Sequence, residues 1–212
     1  PEMVFDWTTN RCINNDIPDL PARAFKDANG KVQLIATHHD NYRMIGNDLH
    51  TVQRDCANPI YSSANDTNYD NHRNHEWIGS TYTEDGQNIH GIVHNEWYGW
   101  FVDPKCTQAN QIDGWVNSLT MVSSANAGVS YAHPADYKVW THPVYWNTSF
   151  PCGPSNNDPT KYTRYGAFHP SNIVKKDAYY YAMFQSLKDP TGYGANGVCL
   201  MRTQDLTNGS SW

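Results

Sequence analysis

The chain of 212 residues lacks features that define several large classes of protein. No apolar run approaches the roughly 18 residues that a membrane-spanning helix needs. Only 17% of the residues are charged, the net charge is −6, and the basic residues are scattered, so the sequence offers no cationic surface to a phosphate backbone. We therefore expect neither a membrane nor nucleic acid as a partner, and the oligomeric state stays open.

Catalytic motifs of other enzyme classes are also absent from the sequence. There is no Gly-rich phosphate loop, no G-x-S-x-G elbow and no HExxH zinc motif. The ten histidines leave one alternative open, a divalent metal held by imidazole and carboxylate ligands. Its ligands would come from His38, His39, Asp40, His72, His75 and His169. Because no local ligand spacing supports this site, we expect no metal and no cofactor.

The five cysteines never form a C-x-x-C pair, which argues against a zinc ribbon or a thioredoxin-type centre. Dispersed cysteines favour disulfides, and the odd number leaves one thiol over, with the pairing open. Low charge and 13% aromatic residues are typical of a secreted carbohydrate-active protein. Three glycosylation sequons, at Asn65, Asn147 and Asn208, indicate the same location. We expect a secreted glycoprotein with at least one disulfide.

What the sequence does contain is an imperfect threefold repeat, at residues 19–40, 76–96 and 168–186. Each copy reads as two short strands joined by a polar turn. A third strand follows in each, and weaker fourth strands close the first two copies. Self-similarity of this kind indicates a propeller or solenoid. The sequence therefore predicts one all-β domain over residues 1–212, a β-propeller with about three blades, at about 16–61, 73–144 and 165–212, and incomplete at the C-terminus.

Three stretches of the sequence resemble the five-bladed β-propeller glycosidases. They are Asp-Ile-Pro-Asp-Leu-Pro-Ala-Arg-Ala-Phe at residues 16–25, Trp-Ile-Gly-Ser-Thr-Tyr-Thr-Glu-Asp-Gly at 77–86 with His-Asn-Glu at 94–96, and Arg-Thr-Gln-Asp-Leu at 202–206. The chain is similar to uncharacterised proteins related to glycoside hydrolase family 43, and to families 32 and 68. The resemblance implies a glycosidase, apparently truncated here, with an acidic base or nucleophile at the start of the first blade and an acidic residue of a later blade as general acid.

Innermost strands of a propeller begin at one rim of the central channel, so the starts of the repeats should converge. Asp19 and Glu76 occupy that position in the first two repeats, and His169 lies beside it in the third. Glycoside hydrolysis needs two carboxyl groups, an acid for the leaving oxygen and a base or nucleophile opposite it. We predict Asp19 and Glu76 as the catalytic pair, with Glu96 as the substitute for Glu76, and an inverting reaction, as the family 43 resemblance implies.

The ends of the second strands supply a further set of polar groups. His38 and His94 are 56 residues apart, as are Asp40 and Glu96, which predicts equivalent blade positions. In a strand, His-x-Asp and His-x-Glu place both side chains on one face. Aromatic residues provide flat surfaces for sugar rings. The predicted substrate-binding residues are His38, Asp40, Arg43, Trp77, His94, Trp97 and His169.

Two other functions remain open at this stage. A polysaccharide lyase would use His94 and Tyr82 for proton transfer and would need a cationic rim, from Arg23, Arg43 or Arg73, for the uronate. A non-catalytic sugar-binding propeller would bind sugar in the cleft without cleaving it. Unsaturated products would identify the lyase, and binding without turnover would identify the lectin.

Overall fold

The computed structural model describes residues 2–106, 114–150 and 164–212. Within these residues a single short α-helix, α1 (Trp7–Asn10), begins at Asp6, whose side chain accepts a hydrogen bond from the Thr8 amide. The other regular elements are strands and 3₁₀ turns, so the all-β prediction is confirmed. No helix in these ranges is long and apolar enough to cross a membrane.

The first sheet forms from the first repeat. Its four antiparallel strands lie in the order β1 (Arg23–Lys26), β2 (Val32–Ile35), β4 (Arg43–Gly46) and β5 (Gln53–Arg54), and a separate pair joins β3 (Asp40–Asn41) to β6 (Tyr61–Ser62). The turn between β1 and β2 closes because the Asp27 carboxylate accepts from the amides of Asn29 and Lys31. Gly30 takes the left-handed backbone conformation, with φ of 78°, that favours glycine.

The second and third repeats share one large sheet. The second contributes β7 (His75–Tyr82), β8 (Ile89–Tyr98), β9 (Trp115–Ser124) and β10 (Lys138–Trp140), and the third contributes β11 (Tyr165–Phe168), β12 (Val174–Lys176), β13 (Tyr179–Leu187) and β14 (Gly197–Thr203). Neighbouring strands within each repeat are antiparallel. β11 pairs with β13 and also, in parallel, with β9, which joins the two repeats.

The predicted strand–turn–strand order holds in each repeat, but strand starts differ from the expected ones. β1 begins four residues after Asp19, because Pro21 cannot donate a backbone hydrogen bond. Asp19 nevertheless extends the pairing, since its amide donates to the Thr37 carbonyl at 3.2 Å. In the third repeat the first strand is split into β11 and β12 around Pro170.

The core lies on both faces of the second repeat. Along β8, Val93 packs with Ile35 and Ile78 against the first repeat, whereas Ile92 packs with Leu119 and Phe184 against the third. Side chains of a strand alternate between its two faces, so Val93 and Ile92 pack on opposite sides of β8. β8 is therefore held rigidly between two layers, which fixes the polar side chains at its C-terminal end.

One disulfide ties the N-terminal segment to the end of the first sheet. Cys12 bonds to Cys56, and Cys106 is also disulfide-bonded. Among the cysteines of the described residues, Cys199 is the free thiol. The expectation of at least one disulfide is confirmed.

Candidate active site

The C-terminal end of β8 presents three polar or aromatic side chains to one side of the sheet. His94, Glu96 and Tyr98 share this face because successive residues of a strand alternate. Antiparallel pairing places Trp77 of β7 opposite His94, and His75 opposite Glu96. The face that results carries a carboxylate surrounded by imidazole and aromatic rings.

This face forms the floor of an open cavity of about 570 Å³. The segment before β1 and the connection after β2 form the opposite wall, and β9 and the 3₁₀ turn after β8 close the remaining side. The cavity is lined by Asn15, Asp19, His38, His39, His75, Trp77, Glu96, Tyr98, Trp100 and Trp115. The two sequence-predicted carboxylates that share it are Asp19 and Glu96.

The two carboxylates have different surroundings. The Asp19 side chain is 53% exposed, with His38 Nε2 at 3.9 Å from its Oδ2. The Glu96 side chain is only 9% exposed, lies 3.0 Å from His94 Nε2 through its Oε1, and accepts a hydrogen bond from the Tyr98 hydroxyl at Oε2. Burial, and then the negative charges of Glu96 and Asp19, raise the pKa of Tyr98, so this hydroxyl stays a donor.

Three imidazole rings form a stack on the cavity wall. The ring centroids of His38 and His39 are 4.0 Å apart, those of His39 and His75 are 4.1 Å apart, and the edge of Trp77 meets all three rings. Burial, and then the neighbouring His75 and His38, lower the pKa of His39 to about 3. Burial also lowers the pKa of His38 and that of His75. The stack is therefore uncharged at neutral pH and offers donors and acceptors without a cation.

The histidine stack makes stability depend on pH. The folded-state pKa of His39 lies near 3, below its ordinary value of 6.5. Between these two pH values the unfolded chain binds a proton that the folded chain does not. The free energy of unfolding therefore falls as the pH drops through this window. We expect urea midpoints to decline from pH 7 to about pH 4 and the His39→Gln variant to decline less. The variant His50→Gln is the control.

His50 suits this control because its pKa is raised by its bond to Glu2, so its loss cannot make the decline in stability toward acid pH shallower. It is exposed, and its removal leaves the stack in place. An unchanged pH dependence in His39→Gln would show that the stack is not the source.

Aromatic rings form the rest of the cavity wall. Tyr98 and Trp100 stack with ring centroids 3.9 Å apart, and Trp115 follows at 6.3 Å from Tyr98. Flat apolar faces beside a few polar groups are the usual composition of a small-molecule cleft, and this geometry suits a pyranose or furanose ring. In the described part of the chain, no three His, Cys, Asp or Glu side chains are grouped so as to hold a metal ion.

Glu76 does not reach the cavity, contrary to the convergence expected from the repeats. It follows His75 and precedes Trp77, so its side chain lies on the opposite face of β7, where it is fully buried. There its carboxylate lies 2.8 Å from His133 Nε2, and the Tyr61 hydroxyl is 2.9 Å from the same nitrogen. This arrangement ties the loop after β9 to β7, which is a structural role.

Trp97 also lies on the opposite face, one residue beyond Glu96. Its indole donates to the Thr67 carbonyl at 2.8 Å, and its ring packs with Cys106, Val116 and Trp146. Of the aromatic residues that follow, Trp100 lines the cavity and Phe101 packs against this core cluster, while residues 107–113 lie outside the described residues.

Four other predicted binding residues lie outside the cavity lining, and one of them is His94, which is buried. Arg43 is held by Asp55, at 3.1 Å, and by the Gly128 carbonyl. Asp40 begins β3, because β2 ends at Ile35 and the chain pairs anew with β6. The ring of His169 stacks on His94 at 5.6 Å, behind Glu96.

Sequence reasoning did not assign Tyr98, Asn15 or His39 to a substrate site. Tyr98 had a usable signal, since it follows Glu96 by two residues on a strand and must share its face. His39 and His75 were considered only as metal ligands. Their stacking joins a connection of the first sheet to β7, a long-range contact with no local sequence pattern.

No protein-family model matches the sequence, and comparison with curated proteins gives no match. Solved structures share the fold. A glycoside hydrolase family 32 β-fructofuranosidase from Bombyx mori, in complex with sucrose, has a TM-score of 0.51 at 13% identity over 89% of this chain and 33% of its own. A structure described as a glycoside hydrolase from Parabacteroides distasonis has a TM-score of 0.52 at 10% identity, over 88% and 50%.

The chain therefore spans between a third and a half of the length of these two proteins, 33% and 50%. Its fold is that of the β-propeller glycosidases, as the sequence predicts.

Proposed function

We propose that this cavity is the active site of a glycoside hydrolase that cleaves a poly- or oligosaccharide. Two carboxyl groups of the protein carry out the reaction, Glu96 as general acid and Asp19 as general base. The observation that carries the proposal is that both carboxyl groups line one cavity walled by aromatic rings. The likeness to propeller glycosidases, one of them solved with sucrose, supports a carbohydrate substrate.

The surroundings of the two groups support these roles. Asp19 is open to solvent, where a water molecule has access to its oxygens. Glu96 is almost enclosed and lies beside an imidazole nitrogen, so it has a neighbour with which to exchange a proton. In an inverting reaction Asp19 activates a water on the face of the sugar opposite the leaving oxygen. We propose inversion on this basis.

The substrate that suits the cavity is a neutral glycan. Among the described residues that line it there is no lysine or arginine, and the histidine stack is uncharged at neutral pH. A uronate would therefore face two carboxylates without a compensating cation. The lyase alternative fits poorly for the same reason, since Arg43 is paired with Asp55, and Arg23 donates to the Pro170 carbonyl.

We further propose that the protein is secreted and glycosylated, as its sequons and disulfides indicate. We propose hydrolysis without a metal or other cofactor, because two carboxyl groups are sufficient for the reaction. Chelation with EDTA should then leave turnover unchanged.

The test is a panel of neutral and uronate-containing oligosaccharides incubated with the purified protein. We expect reducing ends to appear with a neutral substrate, and the first anomer seen by proton NMR to be inverted. Ultraviolet absorption from unsaturated products would establish the lyase instead. Saturable binding without any turnover across the panel would leave the sugar-binding propeller as the function.

A further inference from the structure

A buried histidine beside Glu96 has an unusual set of neighbours. His94 Nε2 lies 3.0 Å from Glu96 Oε1 and 3.1 Å from the side-chain nitrogen of Asn117. The three residues are 2%, 7% and 0% exposed. His94 Nδ1 and Asn117 Oδ1 are both buried and have no hydrogen-bond partner in the described part of the chain. A ring nitrogen either carries a hydrogen or offers a lone pair, so these contacts restrict where protons can lie.

Two arrangements satisfy the contacts at His94 Nε2. If Nε2 accepts from the Asn117 amide, it can bond to Glu96 only when Oε1 carries a hydrogen. If Nε2 carries the hydrogen, it donates to the Glu96 carboxylate, and a rotated Asn117 amide offers Oδ1 as a second acceptor. When Nδ1 carries a hydrogen, the two arrangements differ by the transfer of a single proton between Oε1 and Nε2.

We propose that Glu96 and His94 hold one proton between them. His94 is then the positioning residue that keeps the general acid Glu96 protonated. The inference rests on the proposed function. In the reaction the Oε1–H bond breaks and the proton passes to the leaving oxygen, while the glycosidic electron pair moves onto that oxygen. Glu96 is then an unprotonated carboxylate beside a neutral imidazole, and the pair takes one proton from water to return to its first state.

Two further imidazoles and one phenol hydroxyl face this pair. His169 stacks on the His94 ring, and its pKa is lowered by burial and then by His94. His75 lies opposite Glu96 in the register, and burial lowers its pKa as well. Tyr98 donates to the second oxygen of Glu96. The other carboxylate that lines the cavity is Asp19.

The first test is the pH profile of the His94→Gln variant. Glutamine can still donate to Glu96 but cannot take up a proton, so geometry is retained and proton sharing is lost. We expect KM to change little and the alkaline limb of kcat/KM to move to lower pH by about one unit or more. His90→Gln is the matched control, because His90 lies on the same strand but bonds to Ser123 away from the cavity. A profile in His94→Gln that coincides with that of the wild type would overturn the proposal.

The second test does not depend on activity. NMR of the His94 ring nitrogens should give a titration midpoint that moves to lower pH by about one unit or more when Glu96 is replaced by glutamine. If no glycan is hydrolysed but this shift occurs, the pair stands and the proposed function fails. If hydrolysis is found but the midpoint is unchanged in Glu96→Gln, the proposed function stands and the proton-sharing pair is refuted.

Discussion

Replacing Asp19 by asparagine, or Glu96 by glutamine, is expected to lower kcat by about two to four orders of magnitude while sugar binding stays nearly unchanged. Each amide keeps the size of the side chain and much of its hydrogen bonding, but it cannot donate or accept the proton that the reaction moves. The measurement is kcat and KM on the best neutral substrate, with binding followed by calorimetry.

The control for this prediction is Glu84→Gln. Glu84 is an exposed carboxylate that bonds to Lys175 and Tyr180 outside the cavity, so its neutralisation should leave kcat unchanged. Undiminished hydrolysis in Asp19→Asn would remove Asp19 as the base. If a folded Glu76→Gln protein lost turnover while Glu96→Gln did not, the second carboxylate would be Glu76 after all.

The comparison of Glu76 with Glu96 shows what repeat alignment predicts and what it does not. The alignment predicted the strand–turn–strand units, because polar turns and apolar alternation are local properties of the sequence. It also named Asp19, which lines the cavity. It could not give the face of each side chain, since a shift of one residue in a strand moves every side chain to the other face. That shift puts His75 and Trp77 in the cavity and Glu76 in the core.

The equivalence of Asp40 and Glu96 failed for a related reason. Equal spacing predicted equal blade positions, but β8 continues to Tyr98 whereas β2 ends at Ile35. The chain beyond Ile35 leaves the strand, and the two adjacent histidines His38 and His39 stack ring on ring instead of alternating between faces. Only contacts between distant segments determine where a strand ends in this way, so the sequence pattern could not predict the imidazole stack.

A buried ion pair determines the position of Asp19, and its disruption has the second largest expected effect. Asp16 is fully buried, and its carboxylate accepts hydrogen bonds from the Arg54 guanidinium and from the Cys12 backbone amide. Arg54 also donates to the carbonyls of Tyr42 and Ala36, which fixes the segment before β1 against the first sheet.

Asp16→Asn leaves the Arg54 charge buried without a counter-charge. Loss of one partner of a buried pair costs about 3–5 kcal/mol, whereas replacement of both by apolar residues is often neutral. We therefore expect urea unfolding of Asp16→Asn to show a loss of this size, and the double variant Asp16→Leu with Arg54→Met to recover most of it. The exposed Glu84→Gln variant should unfold as the wild type does.

The same pair connects stability to catalysis, because the cavity is built from separate segments that must meet. In Asp16→Asn the segment that carries Asn15 and Asp19 loses an anchor, while Glu96 on β8 keeps its partners. As urea is raised, turnover of the variant should therefore fall at concentrations where its folded fraction is still close to one. If the two fell in parallel, or if the double variant were no more stable than Asp16→Asn, the pair would not be what holds Asp19 in place.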